Sequence, residues 1–445
     1  MPWYEVESSH NLTGELYVQG SKNAALPILA ATLLTREVTI INGCPDISDI
    51  HRVVNILKSL GCKVFVEKNI EGLSITVDAS TLTGFETDMD NTGKLRASIV
   101  FLGALLAATG NARMTYPGGC HIGKRPIDMH IEALEDMGAT IIQEDGRIKA
   151  SADILYGNTI KLKKKSVGTT ENVILAAVLA KGNTIIYNAA CEPEVIELIR
   201  VLNKMGARIK GAGKNIIKIQ GVKKLRGCTH HLSGDRIVTA TYLSAVCICT
   251  GTVCLKNVYT PWCTSTVNIM RRAGADISLN KNEILITMNR KNTKFIKNVT
   301  TSPYPGIATD IQPFITAMMC FSDGVSTIKE TVFENRFLSA KELIKKGADI
   351  SLVDNCIAVV KGRERLNSGD VYGKDLRGGA SLIISAMRSE GTTRVFGNEY
   401  IERGYENIAG DLSEIGGRIK MVYEKKDNNY SSDNNNTNYR LCTQL

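Results

Sequence analysis

Aromatic side chains are scarce in this chain, at 6% of 445 residues with two Trp. Reading single-stranded nucleic acid by base stacking requires aromatic platforms on a basic surface, and few are available here. Long apolar runs are missing too. The longest, such as Ala24–Leu34 and Ile99–Ala108, stop well short of the roughly 20 residues that a membrane-spanning helix needs. No basic segment followed by an apolar run stands at Met1–Val6, so no secretory signal is expected. The twelve Cys lack disulfide-framework spacing, and Cys247, Cys249, Cys254 and Cys320 lie inside apolar runs. They read as reduced core thiols of a cytoplasmic protein.

What is present is ample core material. Hydrophobic residues make up 43% of the chain, with 39 Gly, and the length favours two cores over one. The formal charge of +9 favours an anionic partner.

A repeat organises the chain. The phrase "helix, Gly, two residues, Ile or Val" appears as LKSLGCKV, LEDMGATI, LNKMGARI, MRRAGADI, LIKKGADI and LSEIGGRI. Its glycines are Gly61, Gly138, Gly206, Gly274, Gly347 and Gly416, separated by 77, 68, 68, 73 and 69 residues. Spacing this regular marks six copies of one unit. Each glycine suits a helix C-terminal cap, where the backbone turns left-handed. Strands are expected at Val38–Ile41, Ala112–Thr115, Thr184–Tyr187, Thr252–Leu255, Ser326–Lys329 and Thr393–Phe396. A second helix in each unit is apolar almost all round: Lys22–Leu33, Leu95–Ala108, Thr170–Ala180, Arg236–Cys249, Asp310–Phe321 and Leu376–Ser389. Such helices belong inside a domain with the sheets outside. Six units make two domains of three, residues 20–230 and residues 1–19 with 231–423. The Asn-rich tail 424–445 reads as disordered.

Helix N-termini carry partial positive charge and favour acids. Here the buried helices open instead with Lys22, with Lys94 and Arg96, with Arg236 and with Arg377. Recurrence at equivalent repeat positions points to a common end of the molecule prepared for an anion, in a cleft between the domains. The loop TYPGGCHIGKRPIDMH lies between a strand and a helix expected to start at Pro126. Its glycines make it mobile, and Cys120 stands within five residues of Lys124 and Arg125, a setting that activates a thiol. Gly118 to Lys124 has P-loop spacing, but Arg125 occupies the place of the magnesium-binding Ser or Thr, so nucleotide hydrolysis is excluded. Capping suffices to explain Asp310 at a helix start, and Glu192 and Glu194 read as ordinary first-turn acids. Cys228-Thr-His-His lacks a second ligand pair, so no metal is assigned.

At these residues the sequence resembles the UDP-N-acetylglucosamine 1-carboxyvinyltransferase family of enolpyruvyl transferases. The segments GSKNAALPILAA, LRAS, PGGCHIGKRPIDMH, KSVGTTEN, YPGIATDIQ, ETVFENRF, DLRGGASL and YIERGYE carry the resemblance, over about residues 3–422. It implies an α/β fold, a two-domain inside-out α/β barrel of six βαβαββ repeats with the active-site cleft between domains. It implies transfer of enolpyruvate from phosphoenolpyruvate to the 3-hydroxyl of UDP-N-acetylglucosamine, releasing phosphate, in the first committed step of peptidoglycan synthesis. No cofactor, nucleic acid or membrane is implied. Carried over by position, Cys120 is the general acid and covalent nucleophile, Asp310 accepts the sugar hydroxyl proton, and Lys22, Arg125 and Arg403 hold phosphoenolpyruvate with Arg377 nearby. Asn23, Arg96, the segment Arg125, Pro126, Ile127, Asp128 and Met129, then Lys164, Ser166, Val167 and Gly168, and Val332, match the cradle of the UDP-sugar. Asp49, Glu334 and Arg336 match further polar cleft residues. Lys165 before Ser166 and Thr169 after Gly168 depart from the family pattern beside the uridine contacts. Cys at position 120, rather than Asp, implies inactivation by fosfomycin. Two other readings are weighed. The sister enzyme acting on shikimate 3-phosphate would carry a Gly-Asn-Ala-Gly-Thr motif, which is absent. A non-catalytic nucleotide-binding relative would not need Cys120, Lys22, Asp310 and Arg403 together.

Overall fold

The structure is a computed structural model that describes residues 2–119 and 122–423. Cys120 and the tail 424–445 lie outside the described residues. Helices and strands alternate in a mixed α/β fold, and the strands form six small sheets, five of four strands and one of three. In the sheet Thr229–His231, Val38–Cys44, Gly72–Asp78, Lys63–Asn69, the last three strands pair antiparallel and the first adds in parallel. The same pattern recurs in the other four-stranded sheets. For example, Leu12–Tyr17 lies parallel to Gly251–Lys256, while Trp3–Glu7 pairs antiparallel with Thr392–Phe396 and Ile419–Val422. The N-terminal strands therefore complete sheets built from the second half of the chain.

All six expected strands lie within observed ones, and all six repeat glycines have positive φ, between +82° and +104°. Five directly follow a helix C-cap residue, as Gly206 follows Met205 after the helix Pro193–Lys204, and Gly138 stands two residues beyond the cap Asp136. The apolar helices are interior: every residue of Arg236–Cys249 is buried. Small residues allow close helix approach. A Cβ on Gly103 of the helix Val100–Thr109 would lie 2.4 Å from the Asn172 carbonyl of the helix Val167–Ala177. Buried apolar side chains fall into two separate clusters, one from residues between Ala24 and Leu232. The other combines Tyr4–Val18 with residues from Ile237 to Ile419.

Four helix starts differ from expectation. The helix predicted from Leu95 begins as a 3-10 turn at Arg96–Ile99 and becomes α-helical at Val100, and Lys94, read as opening it, instead ends the helix Met89–Lys94. The helix predicted from Pro126 begins at Asp128, because Arg96 holds the Pro126 carbonyl at 3.2 Å and Ile127 has a non-helical backbone. The helix predicted from Asp310 begins at Gln312, and that predicted from Thr170 begins at Val167, capped by Ser166.

A Gly206→Ala change meets no atom within 4 Å at φ +104°, so only backbone strain opposes it, about 1–2 kcal/mol. Gly61→Ala should cost more, since its Cβ would lie 2.6 Å from Thr83 Oγ1. Urea unfolding of both variants checks this, and a Gly206→Ala protein as stable as the parent would contradict it.

Candidate active site

The chain passes between the two hydrophobic clusters twice, and the two passages pair with each other. Ser21 N–H donates to the Ser233 carbonyl at 2.9 Å, Asp235 N–H donates to the Gln19 carbonyl at 2.9 Å, and Gly20 bridges Gly234. Neither glycine has room for a side chain: a Cβ at either would lie 1.8 Å from a backbone oxygen. A buried helix starts directly after each passage, so pairing the passages sets two cationic N-termini, Lys22 and Arg236, side by side. Lys22 N–H donates to Asp235 Oδ2 at 3.3 Å.

Asp49, 1% exposed near the start of the helix Ser48–Ser59, collects the cations. Lys22 Nζ lies 2.7 Å away, Arg403 Nε 3.0 Å and Arg52 Nη1 2.8 Å. Burial pushes the Asp49 carboxyl upward, yet Lys22 and Arg403 hold it below its ordinary value. Burial also pulls the Lys22 ammonium down, against Asp49 and together with Arg377 and Arg403. Lys22 and Arg403 come from opposite hydrophobic clusters and share one carboxylate.

Asp310 anchors the other half. Its Oδ1 accepts from Arg336 Nη2 at 2.8 Å, and Oδ2 lies 3.8 Å from Arg377 Nε. Capping is not its role, since the helix Gln312–Met319 is preceded by Ile311 with no side-chain cap. Burial raises the Asp310 carboxyl, but Arg336, Arg377, Arg236 and Lys22 bring it below its usual range, so it is ionised. Arg336 also contacts Asp375, the N-cap of the helix Leu376–Ala386, at 3.2 Å. Arg377 is 2% exposed, and none of its three guanidinium nitrogens has a hydrogen-bond partner among the described residues. Its nearest carboxylates are Asp310 at 3.8 Å and Asp235 at 4.0 Å, and its plane faces the Tyr405 ring at 5.4 Å. Burial works against its charge, yet Tyr405, Asp235 and Asp310 keep it firmly protonated. The guanidinium thus sits buried between carboxylates and the Tyr405 side chain, which supports its charge, with no hydrogen bond of good geometry among the described residues.

Lys22, Asp310, Arg377 and Arg403 thus form one connected network through Asp49 and Asp235. Arg96 stands apart from it. Its guanidinium holds the carbonyls of Pro117 (3.5 Å), Arg125 and Pro126 (3.2 Å), organising the loop around the undescribed Cys120. Burial and the Arg125 charge push Arg96 down to about 10. Residues 122–125 of the same loop meet the segment 333–335, just ahead of Phe337 of the second cluster. Asn335 N–H donates to the Ile122 carbonyl at 3.1 Å, a Cβ on Gly123 would lie 2.3 Å from Glu334 Oε2, and Arg125 lies over the Phe333 ring at 5.7 Å. Val332 on the same segment is 40% exposed. Asp128 and Met129 open the next helix, and His130 beside them packs on Gly168, whose Cβ would lie 3.3 Å from the ring. Burial, then Arg96, pushes His130 down to about 3, so it is neutral and accepts from Asn172 Nδ2 at 3.1 Å. This contact places the helix start capped by Ser166 against His130, with Lys164 exposed two residues before the cap. Asn23 follows Lys22 and is partly exposed.

Several acids were undervalued or missed. Glu194 is no ordinary first-turn acid: it pairs bidentately with Arg236 at 3.0 and 3.3 Å, joining the two clusters. Glu192 accepts from Tyr304 N–H at 3.2 Å. Burial, then Glu194 and Glu192, raise the Glu171 carboxyl well above its usual range. Asp235 and Asp375 cap the cation-bearing helices, and an Asp one or two residues before each Arg was the available signal. Among the described residues no group of three or more His, Cys, Asp or Glu is placed to hold a metal. No helix of the described residues is long and apolar enough to cross a membrane.

The fold matches solved structures of enolpyruvyl transferases. The enzyme NikO from Streptomyces tendae superposes with a TM-score of 0.85 at 23% identity, covering 95% of this chain and 99% of that one. EPSP synthase from Acinetobacter baumannii gives 0.74 at 18% identity, covering 95% and 100%. The family model for EPSP synthase (3-phosphoshikimate 1-carboxyvinyltransferase) matches residues 6–412. Fold and family model together define a carboxyvinyltransferase. Relatives in sequence narrow this. UDP-N-acetylglucosamine 1-carboxyvinyltransferase 2 of Caldanaerobacter subterraneus is 40% identical over 94% of this chain and 99% of its own length. UDP-N-acetylglucosamine 1-carboxyvinyltransferase of Vesicomyosocius okutanii is 41% identical over 93% and 98%. The chain belongs to the UDP-N-acetylglucosamine 1-carboxyvinyltransferase family.

Asp49→Asn should destabilise the fold by about 3–5 kcal/mol, because it leaves buried cations without their counter-charge. The folded carboxyl titrates below its unfolded value, so this contribution is full above about pH 4 and is lost as pH falls through the depressed folded value. Denaturation of both proteins from pH 8 to pH 3 should show a gap that is constant above about pH 4 and begins to narrow below it. A gap that widens on acidification would contradict the assignment.

Proposed function

We propose that this chain transfers enolpyruvate from phosphoenolpyruvate to the 3-hydroxyl of UDP-N-acetylglucosamine and releases phosphate. The supporting observation is the guanidinium of Arg377, buried and without a well-formed hydrogen bond among the described residues, set in the same network as Lys22 and Arg403. A small anion bearing both a phosphate and a carboxylate suits three such cations. The relatives' names favour UDP-N-acetylglucosamine over shikimate 3-phosphate as acceptor.

Phosphoenolpyruvate is a poor electrophile until its methylene carbon gains a proton, after which the adjacent carbon has oxocarbenium character. Cys120 is the proposed acid, able also to add covalently. The sugar hydroxyl then attacks that carbon, and its proton goes to Asp310. Asp310 is the carboxylate suited to this, with 29% of its side chain exposed against 1% for Asp49 and 2% for Asp235 and Asp375. The tetrahedral product of addition then loses a proton from the newly formed methyl group as it expels phosphate, which restores the carbon–carbon double bond. The thiolate left on Cys120 by the first step is the proposed acceptor of that proton, and Lys22, Arg125, Arg377 and Arg403 steady the departing charge. Each acid–base group contributes roughly 10²–10⁴-fold.

The UDP-sugar is proposed to lie along Asn23, Arg96, Arg125–Met129, Lys164 with Ser166–Gly168, and Val332. The contacts of Ile122 and Gly123 with Asn335 and Glu334 support a lid that closes over both substrates. The two hydrophobic clusters support domains of residues 20–230 and of 1–19 with 231–423, arranged as an inside-out α/β barrel of six repeats. A cytoplasmic role in peptidoglycan synthesis, and with it in cell-wall growth and division, follows from the proposed reaction.

Phosphate release from phosphoenolpyruvate should require UDP-N-acetylglucosamine, should fail with shikimate 3-phosphate, and should fall steeply in Cys120→Ser. Release driven by shikimate 3-phosphate would overturn the proposal. Incubation with fosfomycin and UDP-N-acetylglucosamine should inactivate the native chain progressively and add the drug's mass at Cys120. Full activity after prolonged exposure would contradict the assigned role of that thiol.

A further inference from the structure

Gln19 lies in the first passage between the clusters, three residues before Lys22, and is 8% exposed. Both ends of its side-chain amide bond to one turn at the far end of the chain. Nε2 donates to the Gly404 carbonyl at 3.1 Å, and Oε1 accepts from Glu406 N–H at 2.9 Å. The amide therefore acts like a strand segment added to the Gly404–Glu406 backbone. Its own main chain is held as well, since its carbonyl accepts from Asp235 N–H at 2.9 Å.

That turn carries three contacts of the candidate site. Arg403 reaches Asp49 at 3.0 Å, the Tyr405 ring underlies Arg377 at 5.4 Å while its hydroxyl meets Thr241 Oγ1 at 2.7 Å, and Glu406 Oε1 accepts from Asp46 N–H. Lys22 and Arg403 arrive at Asp49 from residues nearly 400 positions apart in sequence. Gln19 ties the backbone leading to one directly to the backbone bearing the other.

We propose that Gln19 is a positioning residue for phosphoenolpyruvate binding, holding the Arg403 turn in register with Lys22. This rests on the enolpyruvyl-transfer reading above. Gln19 touches no substrate in this account and acts through Arg403.

Three variants test it, each checked for folding by thermal melting. Gln19→Met keeps the volume and removes both hydrogen bonds. It should raise KM for phosphoenolpyruvate about tenfold, as expected for two modest hydrogen bonds, and leave KM for UDP-N-acetylglucosamine within about twofold. In an Arg403→Ala background the same change should add almost nothing, because the group being positioned is gone. Gln19→Glu supplies the conservative rescue. A protonated carboxyl donates to the Gly404 carbonyl and accepts from Glu406 N–H as the amide does, whereas a carboxylate confronts that carbonyl. The groups around it are the Glu406, Asp235 and Asp46 carboxyls and the Lys22 and Arg403 cations. The ratio of its phosphoenolpyruvate KM to that of the native chain should therefore approach one at acid pH and grow as pH rises. Equal rises in both KM values, an undiminished effect in the Arg403→Ala background, or a pH-independent ratio would overturn the proposal. The underlying reading fails separately: Arg403→Ala with an unchanged phosphoenolpyruvate KM would overturn it, whereas an impaired Arg403→Ala with an unaffected Gln19→Met overturns the role of Gln19 alone.

Discussion

The site depends on one shared carboxylate. Asp49 is buried and accepts Lys22 from the first hydrophobic cluster and Arg403 from the second, with Arg52 completing the set. Removing a carboxylate from water is unfavourable, and the adjacent cations offset that cost only while both clusters stay in register. The interaction therefore couples the relative placement of two separate cores to the geometry of a few side chains. It also leaves more positive than negative charge in a buried space, the condition under which an anion is drawn in.

Charge surplus is distributed with care for stability. Arg236 is neutralised bidentately by Glu194, and Arg336 by Asp310 and Asp375. Among the described residues Arg377, unlike these, makes no hydrogen bond of good geometry to a carboxylate, and Tyr405, Asp235 and Asp310 hold its charge from a greater distance. Preorganised donors of this kind need no rearrangement when charge develops on a ligand. The two glycines at the chain passages serve the same end, because backbone packed at this distance leaves little freedom for the helix starts that follow.

Much of this was legible in sequence, and the reason is periodicity. Six glycines recur because each terminates a helix with a left-handed residue, a local requirement that leaves a local mark. Cations at Lys22, Arg236 and Arg377 stood out because they oppose the helix dipole, again a local rule. What failed were statements about partners. Asp310 looked like a cap, yet its oxygens face Arg336 and Arg377, residues 26 and 67 positions onward. Glu194 looked like a first-turn acid, yet its partner lies in the other cluster. The contacts of Arg96 with the carbonyls of the loop that follows it were likewise not visible in its place at a helix start. No spacing rule registers such pairings, because they are set by how two cores meet.

The most direct test is a crystal structure of the chain with UDP-N-acetylglucosamine and a non-reacting phosphoenolpyruvate analogue. The account predicts the analogue's phosphate and carboxylate within hydrogen-bond distance of Arg377, Lys22 and Arg403, with the sugar hydroxyl turned toward Asp310. An analogue bound elsewhere, with the Arg377 guanidinium still unbonded, would contradict it.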